Sequence, residues 1–319
     1  MTGPPLVDVL LATWNGALYL AAQIDSILAQ THANWRLLIR DDGSSDGTLA
    51  VIRGYVEKYP DRVVAIDPDG RNLGASGNFS ALLALSTADY AMFCDQDDLW
   101  LPEKIEILLA EVRRIERARG AQCPVLVHSD LNVADQDLNV IAPSFWAYQR
   151  LNPEKGRYLN RLLIQNVATG CAMMMNRSLR EAASPIPAQA RMHDWWVALA
   201  AAAFGEIGFV RRPLVLYRQH GKNTLGAKRW DGFTLVRLLT TGLFLGMCRE
   251  KQAILRETQN QAAVFVRSYA DRLTEEQLVL IRAYASIPEL GFVTRRIVVL
   301  QHGFLLDGLI KKIGLMALI

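Results

Sequence analysis

A chain of 319 residues that is 51% apolar and 21% charged can bury a sizeable core and is not a disordered polymer. Its net charge of +3 is too small to argue for nucleic acid. Cys94, Cys123, Cys171 and Cys248 stand far apart with no CxxC pair, which excludes a structural zinc of the usual spacing and fits a reducing compartment. The start, Met1-Thr2-Gly3-Pro4-Pro5, lacks a basic region leading into an apolar one, and no apolar run reaches ~18 residues. The expectation is therefore a cytoplasmic protein with neither signal peptide nor membrane-spanning helix. With a length above one typical domain, a large domain plus an appendage is expected.

The first half alternates regularly. Val7–Leu11 predicts a buried strand, Leu18–Gln30 a helix, and Trp35–Arg40 a second strand. The turn Asp41-Asp42-Gly43-Ser44-Ser45-Asp46-Gly47 leads to a helix at Thr48–Lys58. A strand at Val63–Asp67, a helix at Ala75–Ser86, a strand at Tyr90–Cys94 and a charged helix at Glu103–Arg119 follow. Such alternation predicts an α/β fold with a doubly wound, mostly parallel sheet flanked by helices. Ligands of such sheets bind beyond the carboxyl ends of the strands. Three polar clusters fall there: Thr13-Trp14-Asn15-Gly16, Asp41-Asp42-Gly43-Ser44, and Asp95-Gln96-Asp97-Asp98.

The last of these is the most informative. Packed carboxylates at a strand end repel one another unless a cation or hydrogen-bond donors sit among them. Oxygen ligands favour Mg²⁺ or Mn²⁺, which binds a diphosphate readily. A solvated acidic turn before the helix start at Pro102-Glu103 is the competing reading.

The middle is less regular. Val125–Ser129 reads as a strand, Asp130–Asp137 as a turn region, Gly170–Met175 as an apolar strand, and Arg191–Phe204 as a polar cluster running into an alanine-rich helix. Glu206–Val210 and Leu214–Tyr217 read as short strands, and Arg218–Gly226 as a polar loop. From about Trp230 the pattern turns helical, with helices expected at Leu235–Leu245, Lys251–Asp271 and Glu275–Ser286. Arg295–Ile319 joins Arg295-Arg296 and Lys311-Lys312 to bulky apolar residues; it suits a membrane surface or a helix packed on the rest. The domain division is 1–228, catalytic, and 229–319, helical and either membrane-associating or oligomerising.

These motifs, in this order, resemble the family 2 glycosyltransferases of GT-A fold, and most closely their rhamnosyltransferase-like members. Carrying the resemblance are TWNG at 13–16, DDGSSDG at 41–47, Arg71-Asn72-Leu73-Gly74 with Gly77-Asn78-Phe79, DQDDLWLPEK at 95–104, His193-Asp194-Trp195-Trp196 and Tyr217-Arg218-Gln219-His220-Gly221. They cover roughly residues 6–226; the C-terminal stretch carries no diagnostic motif.

The resemblance implies a donor site for a nucleotide-diphosphate sugar. Thr13 and Asn15 would line the nucleotide pocket. Asp41, or else Asp42, would accept the pyrimidine N–H, while Arg71, Asn72 and Gly74 would lie near ribose and phosphates. Asn78 would reach the sugar, with Asp95, Gln96, Asp98 and Arg218 as further donor contacts. Asp97, Asp95 and His220 are the implied ligands of a divalent metal, Mg²⁺ or Mn²⁺, and Lys222 a second phosphate contact. Asp194 is the implied general base, its proton affinity raised if Trp195 and Trp196 desolvate it. Capping by Ser44, Ser45 or Asp46, and by Asp194 at its own helix, are the structural alternatives.

The implied reaction is inverting transfer, of rhamnose from dTDP-rhamnose or of another sugar from a UDP donor. The acceptor is a saccharide or lipid-linked glycan at the inner face of the cell membrane, with Trp146, Tyr148, Gln165, Asn166 and Thr169 in the region that builds its pocket. A nucleotidyltransferase would want a basic glycine-rich loop after the first strand, and Ala12–Gly16 has no basic residue. A dehydrogenase would want GxGxxG there, which is absent. A non-catalytic sugar-binding module is disfavoured by the presence of both Asp97 and Asp194.

Overall fold

The computed structural model describes residues 3–66, 71–221 and 244–319. The expected helix Leu235–Leu245 lies almost wholly outside these residues, as do Asp67, Lys222 and the rest of the loop to Gly226.

Strand and helix alternate as β1 (Val7–Thr13), α1 (Ala17–Leu28), β2 (Trp35–Asp41), α2 (Thr48–Lys58), β3 (Val63–Ile66), α3 (Gly74–Leu85) and β4 (Tyr90–Asp95). The four strands pair in parallel in the order β3-β2-β1-β4. Their continuous apolar runs, Val9–Leu11, Leu37–Ile39 and Ala91–Cys94, are buried throughout, as strands covered on both faces require. Beyond them come β5 (Leu99–Trp100), α4 (Lys104–Arg119), β6 (Val125–Ala134), β7 (Val140–Ala142), α5 (Phe145–Gln149), α6 (Leu159–Leu162), β8 (Met173–Asn176), α7 (Arg177–Ala183), α8 (His193–Phe204) and β9 (Glu206–Arg218). The sheet continues from β4 as β8-β6-β9-β5, with β7 paired to β6. β8 runs antiparallel to both neighbours, so this half of the sheet is mixed.

Three segments depart from the sequence reading. The turn expected at Asp130–Asp137 is strand as far as Ala134, because Ser144 Oγ donates to the buried Asp130 carboxylate (2.5 Å) and Leu131 N–H to its other oxygen. Glu206–Val210 and Leu214–Tyr217 are one strand. The register against β6 slips by two residues between Val210 and Pro213, so the arginine pair and the proline are absorbed as a bulge instead of ending it. Gly170–Ala172 form a short 3-10 turn, and β8 starts only at Met173.

Register sets the site. Thr13 stands opposite Asp41, and Ala12 opposite Asp95, so three carboxyl ends share one edge. The other end of β1 is secured by Asp8. Its fully buried carboxylate receives Arg36 through Nε (2.9 Å) and an Nη (3.0 Å), Ser86 Oγ (2.8 Å) and the N–H groups of Thr87 and Ala88 (3.0 and 3.1 Å). Burial alone would push this carboxyl up. The donors, led by Arg36, outweigh burial and hold it below its ordinary value.

Contacts divide the chain into two compact units: Met1–Phe145 with Ala168–Ala188 and Met192–Gly226, and Trp146–Val167 with Gln189–Arg191 and Ala227–Ile319. The second contains α9 (Phe244–Tyr269), α10 (Glu275–Ala285), α11 (Phe292–His302) and α12 (Leu309–Leu318). A capping box between Thr274 and Gln277 starts α10. Asp307 joins this unit's pieces: it accepts from Arg161 (2.5 Å) and from Asn152 N–H (2.9 Å), and its own N–H donates to Gln165 Oε1 (3.1 Å). The single helix expected at Arg295–Ile319 is broken: α11 ends at Gly303, whose φ of +66° turns the chain away, and α12 follows Gly308 at φ +90°. Among the described residues no helix is long and apolar enough to cross a membrane.

Asp8→Asn is expected to cost about 2–3 kcal/mol at pH 7, since a buried charge-paired acceptor is lost. Because the folded pKa of Asp8 is depressed, its contribution is present above the unfolded value of 3.8 and fades as pH falls through the folded one. Urea titrations of both forms should therefore diverge at pH 7 and draw together as pH falls below 3.8; equal midpoints at pH 7 would refute the assignment.

Candidate active site at the carboxyl edge of the sheet

The turn after β2 is cross-linked to that after β1. Asp41 is 4% exposed, and its oxygens accept from Thr13 Oγ1 (2.8 Å), Ser44 Oγ (2.6 Å), Ser44 N–H (2.7 Å) and Gly43 N–H (3.1 Å). Asn15, at φ +50°, accepts Ser45 N–H on Oδ1 (2.8 Å), and its own N–H donates to Ser44 Oγ (2.7 Å). Gly16 N–H goes to Thr48 Oγ1 and Ala17 N–H to Asp46, so α1 begins against the start of α2. The cap of α2 is Gly47, and Asp46 accepts Thr48 N–H (3.0 Å) one position in; neither Ser44 nor Ser45 caps.

Asp42 organises the next loop. Its carboxylate takes Arg40 (2.8 Å), Leu73 N–H (2.8 Å) and Gly74 N–H (2.8 Å), and its carbonyl takes Asn72 Nδ2 (2.8 Å). Gly74 sits at φ +69°, a conformation that glycine tolerates. Asn78 is buried and exchanges two bonds with Arg40 (3.1 Å each), so its amide is turned into the fold. Arg71 is exposed at the rim.

The acidic segment closes the edge. Gln96 clamps the β1 loop through both ends of its amide: Trp14 N–H to Oε1 (2.8 Å) and Nε2 to Trp14 O (2.9 Å). A Cβ on Gly16 would stand 2.1 Å from Gln96 Oε1, so this approach requires glycine. The Trp14 indole is 57% exposed beside the clamp. Asp97 Oδ2 meets His220 Nε2 at 2.8 Å, and the His220 ring lies 5.0 Å from that of Tyr19. Arg218 is buried: its guanidinium lies over Tyr19, donates to the carbonyls of Asp97 (2.7 Å) and Gln136, and its N–H donates to Asp98 Oδ1 (3.1 Å).

Asp98 is wholly buried. One ligand atom each from Asp95, Asp98 and Cys171 lie within 4.8 Å of one another. Behind them Lys104 Nζ lies 3.2 Å from the centre of the Trp100 ring and donates to Cys171 O. Burial pulls this ammonium down to about 7. Burial and the charges of Asp97 and Asp194 raise Asp95 to about 7; burial and the charges of Asp97 and Asp95 push Asp98 well above the usual range. The three carboxylates and Asp194 thus share one field.

Asp194 lies in the first turn of α8, not at its cap, which is Met192. Its Oδ2 accepts Gly170 N–H (3.0 Å) and its Oδ1 Trp195 N–H (2.6 Å). Trp195 and Trp196 are buried in the core, and Trp196 Nε1 donates to Ala183 O (3.1 Å). His193 packs between Phe79 (4.0 Å, stacked) and Phe93 (4.6 Å, edge-on), and neither of its ring nitrogens has a hydrogen-bond partner. Burial pulls His193 down to about 3, so the ring is neutral.

Sequence reading therefore found the groups at the edge but assigned outward roles to several that are turned inward: Asp41, Asp42, Asn78, Asp98 and Arg218 hold loops to one another. It missed Tyr19 beneath His220 and Arg218, and Cys171 and Lys104 behind the acids. The lysine that ends DQDDLWLPEK was the available signal for the last.

Gly16→Ala and Gln96→Ala should each speed hydrogen exchange at the Trp14 amide about tenfold, as loss of one hydrogen bond of ~1.4 kcal/mol implies. Unchanged exchange would show that the clamp does not hold. His128, which burial also pulls down to about 3, and His193 stay neutral in the fold but protonate near 6.5 when unfolded. Stability should fall by about 1.4 kcal/mol per pH unit per histidine from pH 6.5 downward. Urea midpoints at pH 6.5 and 5 test this, and His193→Gln should flatten half of the slope.

The sequence pattern of glycosyl transferase family 2 matches residues 8–182, more than half of the chain. A glycosyltransferase of Nostoc sp., alr2836, is 30% identical over 224 residues, which are 68% of this chain and 66% of that protein; the chain thus spans just under two thirds of this relative. RfbG of Shigella flexneri, a dTDP-rhamnosyl transferase, is 26% identical over 68% of this chain and 74% of its own. Among solved structures, the 1–349 fragment of S. aureus TarS matches with a TM-score of 0.55 at 14% identity, over 88% of this chain and 70% of that one; the same fragment is known with UDP-GlcNAc. The fold is thus of the GT-A type, and the chain belongs to glycosyl transferase family 2.

Proposed function

We propose that the protein is an inverting glycosyltransferase that moves a sugar from a nucleoside-diphosphate donor to a hydroxyl of a saccharide or lipid-linked acceptor in cell-surface polysaccharide synthesis. The observation that carries the reading is the convergence of Thr13, Asp41, the acids from Asp95 to Asp98 and the field of Asp194 on one sheet edge. Residues 1–228 would form the catalytic part, and 229–319 a helical region serving membrane contact or assembly, at the inner face of the membrane.

The residues suit a divalent cation. Asp97 and His220 already meet at 2.8 Å, Asp95 is half-buried nearby, and the mutual repulsion of the carboxylates is what a hard cation relieves. Asp97, Asp95 and His220 would hold Mg²⁺ or Mn²⁺, which when bound supplies Lewis-acid stabilisation of the leaving diphosphate. The exposed Trp14 indole offers a face for the base, and Asp41 accepts the pyrimidine N–H once the Ser44 hydroxyl turns away. Thr13, Asn15, Arg71, Asn72, Gly74 and Gln96 shape the nucleotide pocket. Asn78, Asp98 and Arg218 keep it rigid. Asp194, held by Gly170 N–H, takes the proton of the acceptor hydroxyl as that oxygen attacks the anomeric carbon opposite the diphosphate, so configuration inverts. The same relation to RfbG supports rhamnose from a dTDP donor; TarS supports a UDP sugar as the second reading.

Calorimetry with dTDP-rhamnose, UDP-glucose and UDP-GlcNAc, each with Mn²⁺ and with EDTA, should show metal-dependent binding of one donor. Asp97→Ala should abolish it. Asp194→Asn should leave binding intact while lowering transfer about 10²–10⁴-fold. No binding of any donor by the wild type would sink the transferase reading, and full activity of Asp194→Asn would remove its base.

A further inference from the structure

One member of each basic pair in the C-terminal segment is turned inward, against what the spacing suggests. Lys311 is 8% exposed and donates to Gln149 O (2.6 Å), while Arg295 is bound to the carbonyls of Leu290, Pro288 and Ile319. A different face is open. On α11, Val293, Ile297 and Leu300 recur at helical spacing and are 66%, 47% and 59% exposed, with Phe292 at 70% beside them. Large apolar side chains this exposed are ordinary singly, but four within nine residues of one helix make a patch. Arg296 lies in the same stripe. Its guanidinium sits 3.6 Å from the centre of the Phe292 ring and donates to Phe292 O (2.7 Å), an aromatic–cation pair on the helix surface.

We propose that this face of α11 seats in the headgroup region of an anionic lipid bilayer. Apolar side chains enter the acyl boundary there while arginine stays at the headgroup phosphates. Charge chooses this occupant. α11 has no acidic residue, and Glu289 in the turn before it is the nearest acid in sequence. A twofold contact between copies would bring like arginines together across the axis with no carboxylate on the helix to answer them. The proposal rests on the membrane-side reading above and is independent of which sugar is transferred.

Co-sedimentation of the full chain with phosphatidylcholine vesicles, with and without phosphatidylglycerol, tests it against Ile297→Glu/Leu300→Glu and Arg296→Gln. Wild type should pellet with the anionic vesicles, the double variant should bind about tenfold more weakly or less, and Arg296→Gln should weaken binding and reduce its salt dependence. Wild type left in the supernatant, or a double variant that pellets like wild type, overturns the proposal. So does a wild type that ignores vesicles but whose oligomeric state or thermal midpoint changes in the double variant, which would mean that protein covers the face. Donor calorimetry on the same variants should match wild type. Because that readout needs no membrane, a missing donor site and a missing membrane site are told apart.

Discussion

Carboxylates crowded at the ends of parallel strands cannot be buried unless each meets donors or a compensating charge, and this requirement organises the molecule. Asp41 and Asp42 are met by hydroxyls, backbone amides and Arg40. Asp97 is met by His220. Asp98 has the Arg218 amide, and Lys104 stands behind it. The loops take their shapes from those bonds: Gly74 at positive φ aims its N–H at Asp42, and Asn15 at positive φ accepts Ser45. Crowding persists at Asp95 and Asp98, where burial and the neighbouring carboxylates raise both carboxyls. A cation seated among these carboxylates would relieve that repulsion.

The parallel half of the sheet was legible because apolar runs bounded by Gly- and Asp-rich turns have no other economical burial, and strand ends then locate the polar groups. Direction was less legible. The side chains of Asp41 and Asn78 differ from ligand-facing ones only through partners far along the chain, such as Thr13 and Arg40, and no local pattern reports these. Polar residues inside strands misled for the same reason. Asp130 reads as a turn until Ser144 meets it, and Arg211-Arg212 as a break until the register slips. In the C-terminal segment, helical spacing was visible, but which side of a basic, apolar helix faces out depends on carbonyls such as those of Gln149 and Leu290.

The second unit is built on a different principle. Its helices are tied by a few polar hubs among apolar contacts: Asp307 joins Arg161, Asn152 and Gln165, and Arg191 meets both Glu257 and Gln261. Such hubs fix relative placement without demanding a large core, and they leave α11 able to present apolar side chains outward.

Gln96 bridges the loops after β4 and β1, while Ser44, Ser45 and Asp46 tie the β2 turn to the same β1 loop. The three behave as one rigid part with shared fasteners. Diversification of this scaffold should therefore proceed by exchanging matched sets of loops. A single transplanted turn would arrive without the counterpart that gives it form, whereas a coordinated trio would carry its own geometry onto any compatible sheet.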